Sequence, residues 1–175
     1  MTLAYFDCFA GAAGDMLVAS LLDAGADFDA LTTQIASLGL PGVSIRREPV
    51  QRGGIAGTHF NVDIDQADQP HRHLPDILAI IDAADIAPRA AERARAIFQT
   101  LAEAEAAVHC TSIEAIHFHE VGAADSIVDI IGTCIALELL GVDRIIASTI
   151  TLGSGTVKCD HGLLPVPAPA TAKLV

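Results

Sequence analysis

The sequence predicts a mixed α/β fold, a mixed sheet with an antiparallel hairpin packed by helices, in a single domain spanning 1–175. Three observations lead to it. A strand, a Gly-rich loop and a helix open the chain; two period-two runs meet around Gln51-Arg52-Gly53-Gly54; and a strand-turn-helix junction follows His117. At 175 residues the chain can bury one sizeable core but not two full ones.

The elements follow in order. Leu3 to Phe9 is apolar and aromatic enough for a first strand, and Gly11-Ala-Ala-Gly14 breaks it before a helix from Asp15 to about Asp23. That loop matches neither G-x-G-x-x-G nor a Walker loop. Asp15 suits the first turn through the helix dipole, and with Asp7 it would equally hold a metal or the amide edge of a ligand. A second helix, Phe28 to Leu38, stops at Gly39 with Pro41 beyond. Val43 to Val50 and Ile55 to Ile64 read as paired strands, and Gly53-Gly54 permits the positive φ of their turn. Arg52 stands on that tip, where contact with an anion is open.

After a polar linker, Gln66 to Gln69, the run Pro70-His71-Arg72-His73 precedes a helix from Leu74 to Ala84. Pro88 opens a long helix to about His109 with a narrow stripe of Ala94, Ile97, Leu101 and Ala104 or Ala107, which reads as scaffold. A core helix from Asp125, capped by Asp125 or Ser126, runs to Leu140 and stops at Gly141. Arg144 to Thr151 is a β-branched strand leading into Gly153-Ser154-Gly155. Pro165, Pro167 and Pro169 at alternate positions favour an extended run over a helix.

The densest chemistry lies in His117-Phe-His-Glu-Val-Gly-Ala-Ala-Asp-Ser-Ile-Val-Asp129. In an extended segment His117 and His119 share one face while Phe118 enters the core. Asp125 and Asp129, four apart on a helix, lie on one face, so with Glu120 two imidazoles and up to three carboxylates come within reach of one point. That set suits a divalent cation; the other reading is a structural hydrogen-bond network. His71 and His73 repeat the His-x-His spacing, and the two pairs would supply four nitrogens to one metal or serve separately in capture and delivery. Of the two, His117 and His119 are expected to matter more, being fixed by a strand and a packed helix.

Composition narrows the partners. Ten Lys plus Arg against 22 Asp plus Glu gives a formal charge of −12, which repels nucleic acid and concentrates cations. Mean hydropathy is +0.46, yet charges interrupt every apolar stretch before the roughly 20 residues a membrane span needs. Asp7 follows an N-terminus without a basic leader, so a cytoplasmic protein is expected. The four cysteines form no Cys-x-x-Cys pair; Cys134 falls on the core stripe, whereas Cys159 lies beside Lys158 and His161, a setting that lowers a thiol pKa.

Several motifs together carry a resemblance: Phe6-Asp-Cys-Phe-Ala-Gly11-Ala-Ala-Gly14-Asp-Met16, Arg52-Gly-Gly, His71-Arg-His73, His117-Phe-His-Glu-Val-Gly122, Asp125-Ser-Ile-Val-Asp129, Gly153-Ser-Gly, and Lys158-Cys-x-His-Gly-Leu-Leu-Pro-Val-Pro-Ala-Pro-Ala170. With them the chain resembles the LarC family, nickel insertion proteins of nickel-pincer nucleotide synthesis, from its first strand to its last residue. The resemblance implies a nickel chelatase that places Ni²⁺ in pyridinium-3,5-bisthiocarboxylic acid mononucleotide, giving the cofactor of lactate racemase. It also implies that CTP is hydrolysed, with a divalent metal, in the full-length protein. Family members continue into a C-terminal domain associated with CTP, so the resemblance implies that 1–175 is an N-terminal metal-handling domain that works with that domain. Homo-oligomerisation stays open.

On chemical grounds the candidate nickel ligands are His117, His119, Glu120, His71, His73 and His161. Glu120, Asp125, Asp129, Lys158 and Cys159 are candidates for the chemistry, with Glu120 or Asp129 orienting imidazoles and Cys159 a transient nickel ligand or a buried thiol. Gly153, Ser154, Gly155 and Lys158 are candidates for the substrate phosphate. A metal-dependent hydrolase using the same His and Asp residues, and a non-catalytic nickel carrier, are the alternative readings.

Overall fold

The computed structural model describes residues 1–65, 72–118, 122–159 and 162–175. In order the elements are β1 (Thr2–Phe6), α1 (Gly14–Asp23), α2 (Phe28–Ala36), β2 (Val43–Arg52), β3 (Ile55–Ile64), α3 (Leu74–Ala83), α4 (Pro88–Val108), a 3-10 turn (Ile113–Ala115), α5 (Ala124–Leu139), β4 (Val142–Ala147), β5 (Thr156–Cys159), β6 (Gly162–Pro165) and α6 (Pro169–Leu174). The class is mixed α/β, as the periodicities predict. Among the described residues the strands are distributed over three two-stranded sheets: β1 with β4 in parallel, and the antiparallel hairpins β2–β3 and β5–β6.

The core forms around α5. Ile127, Val128, Ile131, Cys134 and Ile135 are fully buried or nearly so, and each large aliphatic side chain contributes roughly 1.5–3 kcal/mol through burial. So apolar a helix has to be covered on several sides. It packs against α1, α2, α4, β3 and β4. Burial also pushes the Cys134 thiol up to about 12, so this cysteine behaves as a small apolar residue.

Some sequence expectations change. Residue 123, an alanine, occupies the N-cap of α5, so Asp125 and Ser126 fall in its first turn instead of capping it. The Asp125 carboxylate accepts a 2.8 Å hydrogen bond from the Ser126 backbone N–H, a local bond available to any Asp in a first turn. On α4 the buried stripe runs through Ala91, Ala94, Phe98 and Ala102, and Ile97 is 42% exposed. The proline run does end extended structure at Pro165, but Pro169 then starts a helix, a position that needs no N–H donor.

The β1–β4 pair stands out by its coverage. Ala4 and Phe6 pack on the core, whereas Leu3, Tyr5, Ile145 and Ile146 stay exposed, Tyr5 at 61%. Beyond β1 the chain is tied to the segment after β4: the Ser148 backbone N–H donates to the Phe6 carbonyl and the Thr151 N–H to the Cys8 carbonyl.

Gly122 marks the junction ahead of α5. A Cβ there would lie 2.6 Å from the Phe118 carbonyl oxygen and 2.9 Å from Phe118 Cβ, and neither atom is the end of a flexible side chain. Gly122→Ala is therefore expected to cost roughly 2–3 kcal/mol by overpacking and to lower the melting midpoint by about 5–10 °C. Thermal unfolding followed by circular dichroism checks this; an unchanged midpoint would show that the junction relaxes freely.

Candidate metal centre and its flanking carboxylates

The two His-x-His segments meet through the backbone. Arg72 and Phe118 form an isolated antiparallel bridge, with the Phe118 N–H donating to the Arg72 carbonyl at 3.1 Å. One step along such a pair lie His73 and His117, directly opposite each other. Their rings are in contact, centroids 3.9 Å apart and tilted by 45°. The bridge takes the place of the regular strand expected at His117. Phe118 does enter the core, as the alternation predicts, 2% exposed with its ring edge-on to Phe98.

His73 is held at two points. Its backbone N–H donates to the Asp76 carboxylate at 2.8 Å, which ties it to the first turn of α3. Its ring Nδ1 lies 2.8 Å from the Ile116 carbonyl oxygen, and a carbonyl only accepts, so Nδ1 carries the hydrogen. In a neutral ring Nε2 is then the nitrogen with the lone pair, the tautomer of a metal-binding histidine fixed through its other nitrogen. Arg72 and His73 are thus anchored to α3, to Ile116 and to the residue ahead of α5.

Between the histidines of the first motif sits Arg72, which sequence reasoning passed over. It is 7% exposed, and its guanidinium donates to the Gly122 carbonyl at 2.5 Å. Desolvation lowers its pKa, and Asp76 acts in the opposite sense. The available signal was one of ten basic residues placed between two histidines in an acidic chain. Arg72 joins the His73 segment to the start of α5.

The Asp129 carboxylate of α5 is set against α1. Asp129 packs against the first residue of α1: a Cβ on Gly14 would lie 2.6 Å from Asp129 Cβ and 2.7 Å from its Oδ2. Only glycine lets α1 approach α5 this closely there. Burial first, then the charges of Asp15 and Asp125, push the Asp129 carboxyl up to about 6; a hydrogen bond from the Asp15 backbone acts in the opposite sense. Its Oδ1 is buried and has no hydrogen-bond partner among the described residues.

Of the residues expected to converge on one point, the described ones, His117, Asp125 and Asp129, do not form a metal-binding group by themselves. Among the described residues no three His, Cys, Asp or Glu side chains form a metal-binding group. His71, His119, Glu120 and His161 lie outside the described residues. Lys158 is exposed on β5 opposite Leu163, and Cys159 is half-buried at the end of that strand opposite Gly162. Gly153, Ser154 and Gly155 form the approach to β5, closed by a 3.0 Å bond from the Val166 N–H to the Gly155 carbonyl.

Asp129 carries a stability consequence. Its pKa is higher folded than unfolded, so its stabilising contribution is present at low pH and is lost as pH rises through about 6. Asp129→Asn is expected to gain on the order of 1 kcal/mol at pH 7.5, because partial exposure screens the charge, and nothing at pH 4. Urea unfolding at both values measures it, and an equal gain at both would show that charge is not the cause.

Comparison with known proteins places the chain in a family. A family model described as "Nickel insertion protein" matches residues 4–175. A relative from Desulfitobacterium hafniense (strain DSM 10664 / DCB-2), named "Pyridinium-3,5-bisthiocarboxylic acid mononucleotide nickel insertion protein", is 48% identical over 175 residues, all of this chain and 43% of the relative. A protein of Geobacter sp. (strain M21), provisionally named a nickel insertion protein, is 54% identical over all of this chain and 46% of its own length. The chain thus spans less than half the length of these curated relatives. No solved structure matches. With its whole length matched in this way, the chain belongs to the nickel insertion protein family.

Proposed function

We propose that this chain takes up Ni²⁺ at the His73–His117 pair and delivers it to pyridinium-3,5-bisthiocarboxylic acid mononucleotide, forming the nickel-pincer nucleotide of lactate racemase. The observation that carries the reading is the Arg72–Phe118 bridge, which turns two His-x-His segments far apart in sequence into one pair of imidazoles in contact. The name of the Desulfitobacterium relative supplies the substrate. His71, His119, Glu120 and His161 are the proposed further donors.

Ligand chemistry gives the direction of transfer. Nickel accepts imidazole readily, but thiocarboxylate sulfur is softer, and a pair of neutral imidazoles holds the ion without the grip of thiolates. As sulfur replaces nitrogen, the His73 ring keeps the orientation that its Nδ1 bond to Ile116 fixes. The Gly153-Ser154-Gly155 amides and Lys158 are the proposed phosphate contacts, and Cys159 a proposed transient ligand. We assign CTP hydrolysis, with its divalent metal, to the part of the full-length relatives outside the matched region. On this reading the whole protein is a chelatase of the lyase class that acts in the cytoplasm.

Two outcomes are expected. Nickel affinity should fall roughly 10–100-fold from pH 8 to pH 5.5, as protons compete for imidazoles with an unperturbed pKa near 6.5. His73→Ala with His117→Ala should lower it at least tenfold at pH 8, in the range typical for lost metal donors or their supports. Calorimetry measures both; unchanged affinity in either case would remove imidazole ligation. Separately, the chain mixed with nickel, CTP and the nucleotide is expected to bind nickel without CTP-dependent insertion until the remaining portion of a relative is added. Absorbance of the nickel-pincer product reports this, and insertion by the chain alone would place the CTP site in the wrong half.

A further inference from the structure

Beside the carboxylates lies a cavity of about 570 Å³ that none of the metal chemistry uses. Its volume falls within the range of small-molecule sites, roughly 300–1,000 Å³. Ile97 and Leu101 of α4, Ile130 of α5 and Leu174 of α6 make its walls apolar, and Ser126 and Asp129 are among its few polar lining residues. Ile97 and Leu101 stand one helical turn apart on the same face, so they present a continuous apolar strip. Both belong to the stripe read from the sequence as scaffold; Leu101 also packs against the core, whereas Ile97 is 42% exposed.

The wall contains one electrostatic anomaly. Asp129 lines the cavity; Gly14 lets its carboxylate lie against α1, where the Asp15 backbone N–H donates to it, and its Oδ1 is buried without a hydrogen-bond partner among the described residues. With one carboxylate oxygen buried and unpaired, the negative charge is only partly compensated, and a positive charge in the adjoining cavity would offset it through space. The neighbouring walls hold too few donors for a hydrated divalent ion, which needs several oxygens. A compact ammonium is strongly hydrated and suits aliphatic walls poorly, whereas a flat ring with delocalised positive charge matches both features.

We propose that this cavity binds the pyridinium ring of a pyridinium mononucleotide, with Asp129 as counter-ion to the ring and Ile97 and Leu101 against its face. This deepens the preceding section and rests on it for the identity of the nucleotide. The placement agrees with delivery of nickel: Asp129 lies only ~7–8 Å along α5 from Ala124, by the rise of an α-helix. The start of that helix is tied through Gly122 and Arg72 to the histidine pair. The anionic thiocarboxylates and phosphate would project through the open side, away from Asp129.

The test uses 1-methylnicotinamide, a pyridinium cation, and nicotinamide, its neutral counterpart. Both are titrated into the protein by NMR, with nickel calorimetry on the same preparation. The expected result is binding of the cation at least tenfold tighter than the neutral ring, with shifts at Ile97, Leu101 and Asp129. Asp129→Asn should remove that preference, and Ile97→Trp, which fills the cavity from a partly exposed position, should weaken both rings. Equal affinity for the two rings, or a preference that survives Asp129→Asn in a protein of native circular dichroism, overturns the proposal. Nickel binding without cation binding also overturns it and leaves the metal reading standing. Cation binding without nickel binding would support the cavity and overturn the metal reading.

Discussion

The constraint on which the site depends is the meeting of Arg72 with Phe118. His73 and Ile116 are separated by 43 positions in sequence, and closing a loop of that length costs about 3 kcal/mol before any constant term. A single backbone hydrogen bond offsets only about 1 kcal/mol of this. The bridge is therefore a result of packing. Phe118 seats against Phe98 of α4, α3 packs on α4, α4 packs on α5, and Arg72 closes the circuit on the carbonyl just ahead of α5. Only with those helices assembled do two imidazoles face each other.

Much of this was legible. The β2–β3 hairpin has the strands and turn that its alternation and glycines indicate, and α5 has the boundaries and apolar content of a central helix. The histidine motifs could be seen as candidates because residue type and spacing are local. Their mutual pairing could not, because it depends on how α3, α4 and α5 pack. The phase of α4 was misjudged for a different reason: alanine recurs on all its faces, so several stripes fit equally, and Phe98 decides among them only once a partner is known. Helix α5 lacks a side-chain cap, so it starts one residue before the Asp125 that cap chemistry indicates.

The site is also uneven in its electrostatics. The histidine side is well supported, with Nδ1 of His73 bonded and Arg72 buried on a carbonyl. The Asp129 side is held in conflict, a carboxyl pressed between like charges and an α1 terminus that can approach only because residue 14 is glycine. Such tension lowers stability and is common where proteins keep groups ready for chemistry. The two halves are joined mechanically, because the same helix that carries Asp129 begins where Arg72 is anchored.

The β1–β4 pair has one more implication. Purely parallel sheets normally have both faces covered, yet here Leu3, Tyr5, Ile145 and Ile146 face outward on a sheet of two strands. Unpaired strand edges beside exposed aliphatic and aromatic side chains are templates on which further strands add. That ribbon gives the chain an apolar surface on which another strand could add, against the mutual repulsion of a net charge of −12.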